Sequence, residues 1–151
     1  SSKIQITHIG SALSPTMERR AVDEMVRNDR YRWLGEVSNS KARQLLARSR
    51  LLVLSSKMEG GANVISEAIA ASVPVLASRI SGSIGLLGDD YPGFFEVGST
   101  AQLTALMNRC EDDADFYGEL LFHVKQLAPQ FTPKCEQESL RQLISDVCSD
   151  S

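Results

Sequence analysis

Two carboxylates and two glycines stand close together in Met58-Glu59-Gly60-Gly61-Ala62-Asn63-Val64-Ile65-Ser66-Glu67-Ala68. Gly60 and Gly61 let a backbone turn tightly and approach a ligand with no Cβ in the way. Asn63 is a good N-cap, so the helix it opens would present free N–H groups from Ala62 to Ile65. A helix start preceded by glycines is a ready site for phosphate. Glu67 lies four residues past Asn63 and shares its helical face, directed back towards the loop. Glu59 stands on the other side of the same turn. Amide donors beside two hydrogen-bond-accepting carboxylates suit polyhydroxylated, phosphorylated ligands, namely sugars and nucleotides. The same residues admit a plainer reading, in which Glu67 complements the helix dipole and the glycines only turn the chain. Spacing alone leaves both open.

A strand must deliver that loop and a helix must carry it on. Five short apolar runs read as strands: 4–10, 31–35, 51–56, 74–78 and 94–98. The third and fourth are apolar nearly throughout, as strands covered on both faces of a parallel sheet are. Helical patterns lie between them. Ser14-Pro15 opens one that runs to about Asn28, Ser38 or Ser40 opens a second, and Asn63 a third. Ser99 with Gln102 forms a capping box ahead of Leu103, Leu106 and Met107. A helix over 112–127 follows, and Thr132-Pro133 opens another with Leu140, Leu143, Ile144 and Val147 on one side. Alternating strands and helices predict an α/β fold with a Rossmann-like, doubly wound parallel sheet. In such sheets ligands bind beyond the carboxyl ends of the strands, where both the Glu59 loop and Thr7-His8-Ile9-Gly10 fall.

The 151 residues are 42% hydrophobic and 23% charged, which is ordinary for one globular domain. A net charge of −3 gives a nucleic-acid role no support. Charge is uneven, however: the first fifty residues carry ten Lys/Arg against five Asp/Glu. That basic third could face phosphates or a partner, or simply form solvated helix faces. Cys110, Cys135 and Cys148 lie far apart in no metal-binding spacing, which points to reduced thiols in a cytoplasmic protein. No run approaches the roughly 18 apolar residues of a membrane span, and no signal peptide opens the sequence as given. His8 reads as a core or cleft-edge histidine rather than a base, and His123 as packing or surface. Asp89-Asp90-Tyr91-Pro92-Gly93 reads as a turn rather than a metal site. Trp33 reads as core, with base stacking as the sharper alternative.

The residues that follow Glu59 carry a resemblance. Glu59, seven residues, Glu67, and then Ala68-Ile69-Ala70-Ala71-Ser72-Val73-Pro74-Val75-Leu76-Ala77-Ser78 resemble the E-x7-E signature of retaining glycosyltransferases of the GT4 type. Ser56, Glu59, Gly60, Glu67, Ala68, Ala70, Pro74, Val75 and Ala77 match. The preceding Leu34-Gly35-Glu36-Val37 segment resembles the same family, and the likeness covers residues 4 to about 110. It implies the C-terminal, donor-binding half of a GT-B enzyme that needs no metal or other cofactor. Glu67 would then accept hydrogen bonds from ribose hydroxyls, and Glu59, the catalytic position, would hold hydroxyls of the transferred sugar. Amides of Gly60, Gly61, Ala62, Asn63 and Val64 would meet the sugar and diphosphate. Gly35, Glu36 and Val37 would contact the base through their backbone, and Gly10 would line the cleft.

Departures accompany the match. Ser72 stands where a small glycine is usual, and Ser81-Gly82-Ser83-Ile84-Gly85 lacks the family's acidic residue. The basic pair that neutralises the diphosphate is expected upstream of Ser1. The resemblance therefore implies one domain over 1–151, partnered by an N-terminal acceptor domain of the same protein. A narrower likeness, carried by Leu86-Leu87-Gly88-Asp89-Asp90-Tyr91-Pro92-Gly93, is to bacterial selenosugar synthases, which use UDP-N-acetylglucosamine and selenophosphate. The competing expectation is a non-catalytic α/β module that docks in a larger assembly.

Overall fold

The computed structural model describes residues 2–57 and 62–131, with the side chain of Ala62 left aside. Within them run β1 (Ile6–His8), α1 (Pro15–Arg27), β2 (Tyr31–Trp33), α2 (Asn39–Ala47), β3 (Leu52–Leu54) and α3 (Ala62–Ala70). Then come β4 (Val75–Ser78), α4 (Ser81–Leu87), β5 (Phe94–Phe95), α5 (Thr100–Asp112), α6 (Ala114–Leu127) and a 3₁₀ turn, Ala128–Phe131. All five expected strands form, and every pairing is parallel. The chain divides into two compact units, Ser1–Arg48 and Ser49–Ser151. The helix expected from Thr132 lies outside the described residues. Among those residues no helix is long and apolar enough to cross a membrane.

In the first unit β1 pairs with β2, Ile6 opposite Tyr31 and His8 opposite Trp33. Ser14 caps α1 by accepting from the Met17 N–H at 3.3 Å, with Pro15 at the first helical position. Ser38, rather than Ser40, caps α2 through the Lys41 N–H. Only Leu46 of the described residues here is buried.

The second unit orders its strands β3-β4-β5. All four residues of β4 are buried, Ser78 included, whereas β3, expected to be covered on both faces, leaves Val53 exposed because it is an edge strand of this sheet. Helix α3 adds Ile65, Ala68 and Ile69, and α6 adds Phe116, Leu120 and Val124 at a spacing of four. Burying each of the large ones, Ile65, Ile69, Phe116, Leu120 and Val124, contributes about 1.5–3 kcal/mol.

The end of α3 explains one departure noted above. Val73 N–H bonds to Ala68 O at 2.8 Å and Ser72 N–H to Ile69 O at 2.9 Å, the paired bonds of a Schellman motif. Ser72 occupies the left-handed position, φ +55°, which favours glycine. Buried Val73 then turns the chain straight into Pro74 and β4.

Past α4, Asp89 to Gly93 form the expected turns. Tyr91 is buried there, and its hydroxyl donates to Val75 O at 2.7 Å and accepts from Val75 N–H at 3.1 Å. Gly93 must be glycine, because a Cβ would sit 2.5 Å from Val75 O. Helix α5 starts at Ser99, which accepts from the Gln102 N–H. The expected capping box closes differently: Gln102 Oε1 accepts from the Glu96 N–H at 2.7 Å. Asp113 then caps α6, accepting from Asp115 and Phe116 N–H groups.

Candidate functional site

Carboxyl-terminal strand ends deliver the candidate residues. In the first unit the β1–β2 ladder continues past both strands: Leu34 N–H donates to His8 O and Gly10 N–H to Gly35 O, each at 2.9 Å. Gly10 has φ +132° and Gly35 φ +64°, backbone that side-chain-bearing residues rarely adopt. Among the described residues no heavy atom would lie within 4 Å of a Cβ at either, so the backbone conformation selects glycine. The Trp33 indole N–H donates to Gly10 O at 2.9 Å, which locks the turn. Exposed Glu36 and half-buried Val37 lead from Gly35 into the Ser38 cap. The Gly10–Gly35 bond joins the two main-chain segments into one platform, with Glu36 and Val37 next in sequence.

Trp33 is half-buried, and its indole nitrogen is committed to that turn. His8 is exposed, with Nδ1 2.6 Å from the Tyr31 hydroxyl. Burial, reinforced by Glu24, raises the Tyr31 hydroxyl above its ordinary pKa. The Tyr31 hydroxyl and His8 Nδ1 thus share one hydrogen bond across the parallel strand pair.

In the second unit β3 ends at Leu54 and α3 begins at Ala62, one residue ahead of Asn63. Asn63 is exposed inside the first turn, not the cap. Val64 and Glu67 are half-buried, and Glu67 shares the helical face of Asn63. Glu59, Gly60 and Gly61 lie outside the described residues, as does the Ala62 side chain.

Two basic residues that the motif reading passed over stand at strand ends here. Lys57 is exposed after β3. Arg79 follows β4 directly, and its guanidinium pairs with the Asp89 carboxylate, donates to Asp89 O at 3.2 Å and lies over the Phe94 ring. The signal for both was their position just past an apolar run. His123 packs as expected: Nε2 donates to Leu87 O at 2.7 Å and the ring meets Tyr91 edge-on. Burial pushes the Cys110 thiol up despite Arg50 and Arg109, which suits packing rather than a nucleophile.

A family model described as Glycosyl transferases group 1 matches residues 3–120. Comparison of the sequence with curated proteins returned no match. Among solved structures, Anabaena Alr3699/HepE in complex with UDP aligns with a TM-score of 0.79 at 21% identity, over 100% of this chain and 42% of that one. The same protein in complex with UDP-glucose gives 0.78 at 19% identity, with the same coverage. Sucrose-phosphate synthase (tll1590) from Thermosynechococcus elongatus gives 0.72 at 20%, covering 97% of this chain and 39% of its own. The chain thus spans about two fifths of these structures. Likeness at such identity shows the fold: parallel α/β, as in the C-terminal half of a GT-B glycosyltransferase.

Proposed function

The chain belongs to the group 1 glycosyl transferases, and on that premise we propose that residues 1–151 are one nucleotide-sugar-binding domain, the donor half of a retaining GT4-type enzyme. The observation that carries this reading is Glu67 beside the start of α3, which is delivered from the carboxyl end of β3. Ribose hydroxyls donate to the Glu67 carboxylate. Amides from Gly60 to Val64 meet the diphosphate and stabilise it as it departs, the largest electrostatic contribution open to such a site. Glu59 holds the sugar hydroxyls, and positioning of this kind lowers a barrier by several kcal/mol. The platform of Gly10 and Gly35 to Val37 takes the base through its backbone. No metal is required. UDP-sugars are the favoured donors, supported by the UDP and UDP-glucose bound to HepE. The acceptor belongs to a further domain of the same cytoplasmic protein, and a bacterial selenosugar synthase is the narrowest member consistent with the motif.

The second reading, a docking module, draws on exposed Met17, Val22 and Val26 of α1. A thermal-shift panel of UDP, GDP, ADP and free sugars on the intact protein separates the two. Ligand at about 100 times Kd stabilises a fold by roughly 2.7 kcal/mol, so a uridine-selective rise in Tm is expected. No shift with any nucleotide at millimolar concentration favours docking.

A further inference from the structure

Residues 51–100 contain only two basic side chains, Lys57 and Arg79, and the fold brings both to one edge. Lys57 stands three residues beyond the end of β3 and Arg79 one residue beyond the end of β4. These strands are parallel neighbours, Leu54 opposite Ala77, so both basic residues emerge where the strands run out together. Open α/β sheets take their ligands at that edge.

Arg79 already holds an anion. Its guanidinium meets both the carboxylate and the main-chain oxygen of Asp89, with the two side chains 39% and 73% exposed. An exposed ion pair of this kind is weak, and salt screens it. A diphosphate carries more charge than one carboxylate and fits the planar fork of N–H donors equally well. The guanidinium also lies over the Phe94 ring, 5.4 Å from its centre, a contact that does not depend on Asp89.

We propose that Lys57 and Arg79 form a cationic rim for the donor's diphosphate, and that Asp89 is the stand-in anion Arg79 releases when the diphosphate binds. The assignment rests on the donor-domain reading and extends it to two residues and a competing carboxylate that the motif does not include. It makes recognition depend on phosphate count, so affinity rises from uridine to UMP to UDP.

The test is calorimetric titration of the intact protein with uridine, UMP and UDP, for the wild type and for Lys57→Gln, Arg79→Gln, Arg79→Lys and Asp89→Asn. Loss of either cation should weaken UDP about tenfold, as charge-assisted contacts to phosphate do, and leave uridine unchanged. Arg79→Lys, which keeps the charge but loses the planar fork and the ring contact, should fall between the wild type and Arg79→Gln for UDP. Asp89→Asn should tighten UDP severalfold, because the competing anion is gone. That sign would not arise if the pair were only structural. Wild-type affinity for UDP in both Gln variants overturns the proposal, and so does an Asp89→Asn variant that loosens UDP. If Arg79→Gln does not fold, Lys57→Gln, Arg79→Lys and Asp89→Asn decide the matter. A wild type that binds none of the three ligands overturns the donor reading itself, and this assignment falls with it.

Discussion

Ser72 and Tyr91 each answer for a local feature of the second unit. Ser72 sits at φ +55° where the helix end favours glycine. Ser72→Gly should relieve left-handed strain of about 1–2 kcal/mol, offset in part by the greater freedom of unfolded glycine. A net gain of about 0.5–1 kcal/mol is expected in urea unfolding, and a loss would refute the strain argument. Tyr91→Phe strips the hydroxyl that serves both polar groups of Val75, at a cost of about 1–3 kcal/mol for groups left buried and unpaired. Burial also holds the Tyr91 hydroxyl well above its ordinary pKa. With the folded value raised, this contribution is complete below the unfolded value of about 10 and is lost as pH rises beyond it. Wild type should therefore lose stability more steeply than Tyr91→Phe as pH rises from about 10 to 12.

The secondary elements show which parts of the structure were legible beforehand. Strands β3 and β4 were plain because their runs are apolar on both faces, and α1 and α2 because Ser14 and Ser38 are strong caps. Helix α4 was not foreseen. Ser81, Gly82, Ser83 and Gly85 are poor helix formers, and its cap residue Ile80 makes no side-chain cap bond. Burial of Leu87 and Ser83 holds it in place, and no local pattern reveals that. Asn63 misled because a cap there would start the helix at Val64, whereas α3 begins at Ala62, a shift of the size helix ends commonly show. Arg79 was missed because its partner, Asp89, lies ten residues on, beyond helix α4.

Cap chemistry makes a pH prediction for α6. The Phe116 N–H, followed by Arg109, stabilises ionised Asp113 and holds its carboxyl below the usual range. A lowered folded value means that the contribution is present above the unfolded value, about 3.9, and is lost as pH falls. Asp113→Ala should accordingly lower the urea midpoint at pH 7, and its deficit should close towards pH 2. A deficit independent of pH would show that the cap does not act through its charge.

The two units differ in what they bury. In the described residues of the first, one side chain is buried; in the second, β4, α3 and α6 share a core. Hydrogen exchange reports opening free energies, so amides of β4 and α6 should exchange slowest and those of α1 far sooner. Equal protection of α1 and β4 would contradict that reading. The family was legible from Leu52 to Ser78, where a motif coincides with a strand, a helix and a second strand. The units and their separate parallel sheets were not, since pairing depends on neighbours distant in sequence. The decisive measurement is calorimetric titration of the intact protein with UDP, wild type against Glu67→Ala. Saturable binding to the wild type, weakened about tenfold or more in a variant of unchanged fold, is the expected result, because a carboxylate that accepts from ribose contributes about 1.5–3 kcal/mol. Absence of UDP binding at millimolar concentration, or an affinity indifferent to Glu67, would contradict it.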